Sequence, residues 1–393
     1  MRISLPLALI LSVSLNALAC GRSEHVDASR TSQAPAGPPT HLQIDGTRFR
    51  TAQGQPFQWR GLTAFRLVDY VADKNEQEAE KLLGWAEAQK LTVVRTLAMG
   101  GGFMDLEPQE GRAALSRLLI LAANHKLHVE VVALAGTMDM PVNLDEQLST
   151  LGETLESHPN ALLEIANEPT HPSQVPAVGK PDVLVALAGR VPADVPIALG
   201  SIEADESFAR GDYATWHAPR DNKLDGWAQV LGVAQGAEHL QKLKKPVVSD
   251  EPIGAGVKYE PGRRDDAPAR FRASALLTRL AGLGATFHYE GGLQARIPEG
   301  RELECFNAWN EAWDLLPPDV ESQGTFSVAG GQGAAVQDFD HKTALGVFER
   351  TSGSRGWVLS IGPGDPALKL SPGWSVVETK TFEGARLVTV ARQ

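Results

Sequence analysis

The sequence predicts an α/β fold in which eight strands alternate with helices, followed by a small C-terminal antiparallel β module. Three observations support this prediction. Eight apolar runs of strand length are separated by stretches whose apolar residues recur at helical spacing. Two of these runs end in a glutamate that is followed by proline. After Pro317-Pro318 the pattern changes to short alternating runs without helices between them.

The first residues of the chain are typical of an export signal. Arg2 precedes an apolar stretch at 3–15 that is too short to span a membrane, and small residues precede Cys20. We therefore expect a signal peptide at residues 1–19. The sequence Ala17-Leu18-Ala19-Cys20 resembles a bacterial lipobox, which implies an exported lipoprotein anchored to a membrane through Cys20. Simple secretion is the alternative.

Residues 20–40 are rich in serine, proline and glycine, and they predict a flexible tether. The folded part then begins with a hairpin, in which residues 42–44 turn at Asp45-Gly46 and return through 48–50. Cys20 and Cys305 are the only cysteines, so no disulfide framework is expected. We expect Cys305 to be a buried, inert thiol.

The strand and helix alternation extends over residues 41–318. The strands are expected at 57–62, 91–97, 127–134, 161–167, 195–200, 213–217, 246–250 and 285–289. The helices are expected at 75–89, 108–125, 144–157, 181–190, 226–243, 265–283 and 299–315, with a short fifth connection near 202–210. The last helix carries Phe306, Trp309 and Trp313 at three- and four-residue spacing, which favours burial in the core over ligand stacking.

Residues 319–393 form the predicted C-terminal module. Its strands are expected at 344–348, 357–361, 374–377 and 386–390, separated by turns that contain glycine and proline. We expect the module to pack on the preceding domain. Trp357 and Trp374 are expected to fill its small core; glycan binding through them is the alternative.

Two glutamates stand at the ends of predicted strands. The fourth strand runs into Asn167-Glu168-Pro169 and the seventh into Asp250-Glu251-Pro252. Proline cannot continue a central ladder, so both glutamates should lie at the C-terminal mouth of a parallel sheet. Hydrolysis of a glycosidic bond needs one carboxylic acid and one carboxylate. Glu168 and Glu251 therefore form a candidate catalytic pair.

Asn167-Glu168-Pro169, with Glu251 at the end of a later strand, resembles the clan A glycoside hydrolases, in particular the family 5-like, cellulase-like enzymes. The resemblance implies that the alternation closes into a (β/α)8 TIM barrel whose floor is covered by the N-terminal hairpin. It implies retaining hydrolysis of O-glycosidic bonds in a β-linked polysaccharide or oligosaccharide. It gives the acid/base role to Glu168, the nucleophile role to Glu251 and the contact with the sugar 2-hydroxyl to Asn167.

Two further positions resemble site residues of the family. Arg95 ends the second strand and resembles the arginine beneath the nucleophile, where a cation would keep Glu251 ionised. A structural ion pair with a barrel carboxylate is the alternative role for Arg95. His217, with Trp216 beside it, resembles the histidine that lines the cleft. The family usually has a tyrosine two residues after that histidine; here Pro219 stands there, which leaves open the partner that orients the nucleophile.

The eighth strand departs from the family pattern. Phe287-His288-Tyr289-Glu290 stands where a sugar-stacking tryptophan is common, and Tyr289 offers an alternative stacking face. Glu290 is a third carboxylate at a strand end, either a rival to Glu251 or a ligand of sugar hydroxyls; the strand order favours Glu251. These departures motivate an alternative function, a catalytically inactive barrel acting as an exported glycan-binding lipoprotein.

Composition restricts the partners of the 393-residue chain. A net charge of −11 and a pI near 5.4 leave no basic stripe to displace phosphate counterions, which argues against nucleic acid. The sequence shows no metal-ligand cluster and no phosphate loop, so we expect neither a metal nor a cofactor. We expect a monomer that contacts a membrane only through its lipid anchor.

Overall fold

The computed structural model describes residues 38–101, 107–202, 205–217, 226–256, 258–259, 263–331, 333–362 and 364–393. The predicted signal peptide, Cys20 and Pro219 lie outside these ranges, and so does most of the predicted tether. The part of the chain from residue 38 onward belongs to one compact unit that includes both the barrel and the C-terminal module. No helix among the described residues is long and apolar enough to cross a membrane.

Eight parallel strands, here called barrel strands one to eight, close into a barrel. Each pairs with the next in the chain, and strand eight pairs with both strand seven and strand one. The predicted (β/α)8 TIM barrel is therefore confirmed. The strands are Arg60–Thr63, Val93–Leu97, His128–Leu134, Ala161–Ala166, Ile197–Ile202, Ala214–Trp216, Val247–Ser249 and Gly284–Tyr289.

Helices cover the outside of the barrel and bury their apolar faces against the strands. The α-helices are Leu67–Ala72, Glu76–Ala88, Pro108–Asn124, Leu144–Glu156, Pro181–Ala188, Gly226–Leu240, Pro268–Ala281, Glu290–Leu293 and Gly300–Trp313. Short 3-10 helices are Glu206–Arg210, in the short fifth connection, Gln241–Leu243 and Val320–Ser322. In the last α-helix Phe306, Trp309 and Trp313 are buried, as their spacing predicts. Cys305 on the same helix is also buried, which raises the pKa of its thiol to about 12.

The N-terminal hairpin closes the floor of the barrel, the end at which the strands begin. Its strands Gln43–Asp45 and Arg48–Arg50 turn at Gly46, whose φ of 59° suits glycine, and Pro56–Phe57 adds a third strand. The Phe49 ring lies 5.3 Å from Trp59 and 5.4 Å from Tyr213. These rings and the first inward-facing residues of several barrel strands form a separate apolar cluster. Water is thus excluded from the lower end of the barrel.

The C-terminal module is antiparallel, as predicted. Five strands form its main sheet: Thr325–Val328, Gly346–Ser352, Arg355–Ile361, Trp374–Phe382 and Ala385–Arg392. Val336–Phe339 and Leu368–Leu370 form a smaller sheet. The main sheet packs on the barrel helix Pro268–Ala281, and the side chain of Arg350 donates to the backbone oxygen of Leu280. Trp357 is buried in the large apolar cluster that the module shares with the barrel, whereas Trp374 is half-buried against the module's own small core. The prediction that Trp357 fills that small core is therefore wrong, because alternation along its strand puts Trp357 and Val358 on opposite faces of the sheet.

The segment that follows strand seven returns to the mouth of the barrel. Gly254–Ala255 pairs in parallel with the end of strand eight, with Gly254 opposite His288 and Ala255 opposite Tyr289. Further along, Lys258–Tyr259 and Arg263–Arg264 form a short antiparallel pair. The backbone just after Glu251 is therefore fixed to strand eight.

Candidate active site

The candidate site lies at the mouth, where the barrel strands end. Glu168 follows strand four and its side chain is 25% exposed, whereas the Glu251 side chain after strand seven is 6% exposed. One carboxylate oxygen from each, together with a ring nitrogen of His217, all lie within 4.8 Å of one another. The structure therefore brings the two glutamates face to face.

The turn that carries Glu168 is strained and tightly held. Glu168 has a φ of 41°, in the left-handed region that residues other than glycine rarely adopt. The backbone N–H of His171 donates to the backbone oxygen of Glu168 at 2.9 Å, and the Gln174 side chain donates to the backbone oxygen of Asn167 at 2.6 Å. Pro169 packs on Gly200 of strand five, where an added Cβ would lie 2.4 Å from Pro169 Cγ. These contacts fix the direction of the Glu168 side chain.

Arg95 links the glutamate of strand seven to the asparagine of strand four. It is fully buried, and its Nη1 donates to Glu251 Oε1 at 2.8 Å. Its Nη2 donates to Asn167 Oδ1 at 2.9 Å. Because Oδ1 is engaged, Asn167 presents its NH2 group as a donor to the cleft. Arg95 is thus hydrogen-bonded to both Glu251 and Asn167.

A layer of buried carboxyl groups surrounds Arg95 below the site. Its Nη2 donates to Glu164 Oε2 at 2.6 Å, and its Nε lies 3.5 Å from Glu130 Oε2 and 3.3 Å from Asp250 Oδ2. Burial by itself lowers the pKa of Arg95, but the charges of Glu164, Asp250, Glu251 and Glu130 outweigh burial and raise that pKa well above its ordinary value. Arg95 therefore remains a cation.

Two of these carboxyl groups have raised pKa values. Burial raises the pKa of Glu130 well above its ordinary value, and the charge of Glu164 raises it further. Burial also raises the pKa of Glu164, against the opposing effect of Arg95. The Tyr213 hydroxyl donates to Glu130 Oε1 at 2.9 Å, and the Thr215 hydroxyl donates to Glu164 Oε1 at 2.8 Å. Both groups therefore bind a proton more tightly than an exposed glutamate does.

His217 lies between the two glutamates of the candidate pair. Its Nδ1 is 3.3 Å from Glu168 Oε1, and its Nε2 is 3.4 Å from Asp250 Oδ1 and 3.7 Å from Glu251 Oε1. Burial lowers the pKa of His217, but the charges of Glu251 and Asp250 outweigh burial and raise that pKa well above its ordinary value. As an imidazolium, His217 carries a donor on each ring nitrogen and can serve both sides of the cleft.

His288, to which the sequence analysis gave no role, also faces the site. It is 3% exposed, its Nδ1 lies 3.0 Å from Thr63 Oγ1, and its Nε2 lies 3.9 Å from Glu251 Oε2. The period-two alternation of a strand is the signal that identifies it, because His288 shares the inward face of strand eight with Thr286. Phe65, which follows strand one, lies nearby, with its ring centroid 6.0 Å from that of His288.

Two predicted substrate-binding residues, Trp216 and Tyr289, lie away from the cleft. Trp216 is 5% exposed and faces the helix Gly226–Leu240, where a Cβ added at Gly236 would lie 2.0 Å from its ring. Tyr289 is fully buried; its ring lies 5.3 Å from Phe287, and its hydroxyl donates to a backbone oxygen. Glu290 is exposed at the start of the short helix Glu290–Leu293. The structure does not bring Trp216 or Tyr289 to the cleft, because each occupies the outward face of its strand.

Two groups of described side chains have the spacing of metal ligands. They are Glu164, His217 and Asp250, and Glu168, His217 and Glu251; within each group the ligand atoms lie within 4.8 Å of one another. A metal ion at either place would share a carboxylate with the Arg95 guanidinium, which already donates to Glu164 and to Glu251. The positive charge that these carboxylates need is thus supplied by the chain itself.

No family model matches the sequence, and no curated protein matches it. Among solved structures, one described as a glycoside hydrolase is similar with a TM-score of 0.64 and 12% identity, over 90% of this chain and 97% of that chain. A family 5 glycoside hydrolase from Bacteroides vulgatus is similar with a TM-score of 0.60 and 13% identity, over 90% of this chain and 94% of that chain. A family 5 mannosidase from Rhizomucor miehei is similar with a TM-score of 0.50 and 13% identity, over 64% of this chain and 85% of that chain. At this identity the likeness shows the fold: the chain has a (β/α)8 barrel similar to those of these glycoside hydrolases.

Proposed function

We propose that the protein is a retaining glycoside hydrolase that cleaves O-glycosidic bonds of a β-linked glycan. The observation that carries the proposal is the approach of the Glu168 and Glu251 carboxylates to within 4.8 Å at the mouth of a family 5-like barrel. Retaining enzymes hold their two carboxyl groups about 5–5.5 Å apart, whereas inverting enzymes leave roughly 6.5–9.5 Å for an intervening water. The separation supports retention.

In the first step, a Glu251 carboxylate oxygen attacks the anomeric carbon while the bond from that carbon to the leaving oxygen breaks. Glu168 gives its proton to the leaving oxygen, and a glycosyl ester of Glu251 forms. In the second step, Glu168 takes a proton from water, the water oxygen attacks the anomeric carbon, and Glu251 leaves as a carboxylate.

The surrounding residues support this cycle. Arg95 donates to Glu251 and keeps it in the charged form that attacks. The NH2 group of Asn167 is available for the sugar 2-hydroxyl, since Arg95 occupies the amide oxygen. His217 faces both glutamates and compensates the negative charge that moves between them during the two steps.

The test is a panel of 4-nitrophenyl β-glucoside, β-mannoside and β-xyloside with β-1,4-linked glucan and mannan. The mannosides are included because one structural neighbour is described as a mannosidase. Proton NMR of the first product is expected to show the β-anomer, since two inversions at one carbon retain configuration. Initial formation of the α-anomer would contradict the proposed mechanism.

Variants assign the two roles. Glu168→Ala is expected to lower kcat/KM by roughly 10²- to 10⁴-fold on a substrate with a poor leaving group. Added azide is expected to restore turnover in both variants. The product should be a β-glycosyl azide in Glu168→Ala and an α-glycosyl azide in Glu251→Ala. Glu290→Ala is the matched control, because this exposed glutamate also follows a barrel strand. A loss in Glu290→Ala equal to that in Glu251→Ala would reassign the nucleophile.

The alternative function, a catalytically inactive glycan-binding barrel, predicts a different result. It is favoured by the outward orientation of Trp216 and Tyr289, which leaves the cleft without these two aromatic surfaces. In that case no glycan in the panel is cleaved, and calorimetric titration shows the same affinity for the wild type, Glu168→Ala and Glu251→Ala. This pattern would overturn the proposed hydrolase.

We also propose that the protein is exported through residues 1–19 and anchored by a lipid on Cys20, as the lipobox-like sequence indicates. The wild type is expected to fractionate with membranes and to incorporate labelled palmitate. Cys20→Ala is expected to lose both properties. Secretion without an anchor predicts that the wild type and Cys20→Ala fractionate alike.

A further inference from the structure

We infer that His288 is a positioning residue that orients the Glu251 carboxylate, and that Thr63 sets the protonation of its ring. This inference rests on the proposed function, since it concerns the nucleophile of that reaction. It assigns a role to strand eight, where the chain departs from the family pattern.

The contacts of Glu251 divide between its two oxygens. Oε1 accepts from Arg95 at 2.8 Å and lies 3.7 Å from His217 Nε2. Oε2 faces the Nε2 of His288 at 3.9 Å. Arg95 and His288 thus approach the carboxylate through different oxygens, and from these positions a hydrogen bond from each would restrict rotation of the carboxylate about its last bond.

The contact with Thr63 is compatible with a hydrogen on the ring nitrogen that faces Glu251, and we infer that the Thr63 hydroxyl is the donor in this contact. Thr63 Oγ1 lies 3.0 Å from His288 Nδ1 in a buried position. A hydroxyl that donates to Nδ1 leaves the proton of a neutral imidazole on Nε2, where it points at the carboxylate. A shift of about 1 Å turns the approach of Nε2 to Oε2 into a hydrogen bond, and such bonds commonly shorten when substrate is bound.

The backbone supplies an independent reason for pairing these two residues. Gly254, three residues after Glu251, lies opposite His288 in a parallel ladder. The segment that carries the nucleophile and the strand that carries His288 therefore keep a fixed register. A side chain on strand eight is better placed to orient Glu251 than one on a separate loop.

His288 approaches Glu251 from strand eight, with its Nε2 3.9 Å from Glu251 Oε2. Charged groups that also face Glu251 include Arg95, His217 and Glu168. Thr63 and the Phe65 ring lie against His288.

The kinetic test uses the 4-nitrophenyl β-glycoside that the wild type cleaves best. His288→Ala is expected to lower kcat/KM by about 10²-fold and to move the acidic limb of its pH profile to higher pH, because Glu251 loses a donor that favours its charged form. His288→Gln, which retains a donor, is expected to recover part of the loss. Thr63→Val is expected to show a smaller shift in the same direction.

Thr286→Val is the matched control. Thr286 is buried on the same face of strand eight, and its hydroxyl accepts from Trp59 at the floor. It is expected to leave the pH profile unchanged. A purely structural role for His288 predicts instead that His288→Ala lowers the melting temperature and reduces kcat/KM equally at every pH. That result would overturn the inference.

A second measurement does not depend on turnover. Long-range ¹H–¹⁵N spectra of protein with ¹⁵N-labelled histidine show the tautomer of each ring, and the signal absent in His288→Gln identifies His288. We expect the hydrogen on Nε2 and a titration of His288 that changes in Glu251→Gln. An unchanged titration would overturn the inference. If no glycoside is cleaved while the two residues titrate together, the hydrolase proposal fails and the pairing stands.

Discussion

The floor and the mouth of the barrel differ sharply, although the same strand faces build both. At the floor, inward-facing Val93, Leu162, Tyr213 and Val248 belong to one apolar cluster with Phe49 of the hairpin. Two residues further along the same strands, the inward positions are occupied by Arg95, Glu164, Thr215 and Asp250, all buried. One step of the period-two repeat therefore separates an apolar plug from a charged layer.

The two ends depend on different physical effects. The floor is stabilised by burial of apolar surface, which does not depend on pH. The charged layer keeps carboxyl groups out of water and is tolerable only because Arg95, His217 and bound protons compensate them. The difference shows that stability and chemistry have been placed at opposite ends of one set of strands.

Replacement of Arg95 is expected to have the largest effect. Arg95→Met removes the cation that four buried carboxyl groups share, and it should lower the free energy of unfolding by about 3–5 kcal/mol and reduce glycoside hydrolysis to background. Urea unfolding and the kinetic assay measure the two effects. Arg117→Met is the control, because Arg117 pairs with Glu76 at the surface and its loss should leave both quantities unchanged. If both variants lost the same free energy of unfolding and the same activity, the ion pairs at the mouth would be no more important than those at the surface.

The opposite result is expected at the floor. Phe49→Ala should lower the free energy of unfolding by about 3 kcal/mol, because it leaves a cavity beneath Trp59 and Tyr213. Below the melting transition, kcat/KM is expected to stay unchanged. Phe49→Leu retains most of the volume and should cost less than about 1.5 kcal/mol. A change in the pH profile of either variant would show that the floor and the mouth are coupled.

The smallest effect is expected from Glu130→Gln, and it depends on pH. Burial raises the pKa of Glu130 above its ordinary 4.5, so the folded protein binds this proton more tightly than the unfolded chain does. The resulting stability is fully present below about pH 4.5 and is lost as the pH rises through the folded value. Glu130→Gln should therefore exceed the wild type in stability at high pH, with a difference that vanishes near pH 4.5.

Urea unfolding between about pH 4.5 and 8.5 measures this difference. The amide oxygen that Glu130→Gln introduces can still accept from the Tyr213 hydroxyl, so a packing change is not expected. The pKa of His217 is also raised, so the free energy of unfolding falls further as the pH rises above 6.5, the ordinary pKa of histidine. That part of the slope should persist in the variant. If the free energies of unfolding of the wild type and Glu130→Gln change in parallel with pH, Glu130 holds its proton no more tightly in the folded protein than in the unfolded chain.

The sequence was sufficient to predict the barrel and to identify Glu168 and Glu251 as the candidate pair. Apolar runs and helical spacing mark the strands and helices within a few residues, because both signals reflect burial on a single face. Glu168 and Glu251 were identifiable because each stands between a strand and a proline. Their mutual approach was not, since it depends on closure of eight strands around one axis.

The errors about Trp216 and Tyr289 have a physical reason. Both residues were predicted to bind substrate because aromatic side chains suit sugar stacking, but the prediction did not consider on which face of the strand each side chain lies. Alternation along strand six puts His217 and Trp216 on opposite faces, and on strand eight it does the same for His288 and Tyr289. Glu130 and Glu164 were passed over for a related reason: a single acidic residue within an apolar run gives no hint that an arginine from another strand compensates it.

The pairing of Gly254–Ala255 with strand eight constrains how this cleft can change over evolution or by design. Residues just after Glu251 cannot be lengthened or exchanged by themselves, because the inserted backbone would have to break hydrogen bonds with the neighbouring strand. A transplant of the strand-seven glutamate into another scaffold would have to include residues 284–289 as a second piece. New substrate preferences in this lineage should therefore arise at other edges of the opening, where loops are not tied to a strand.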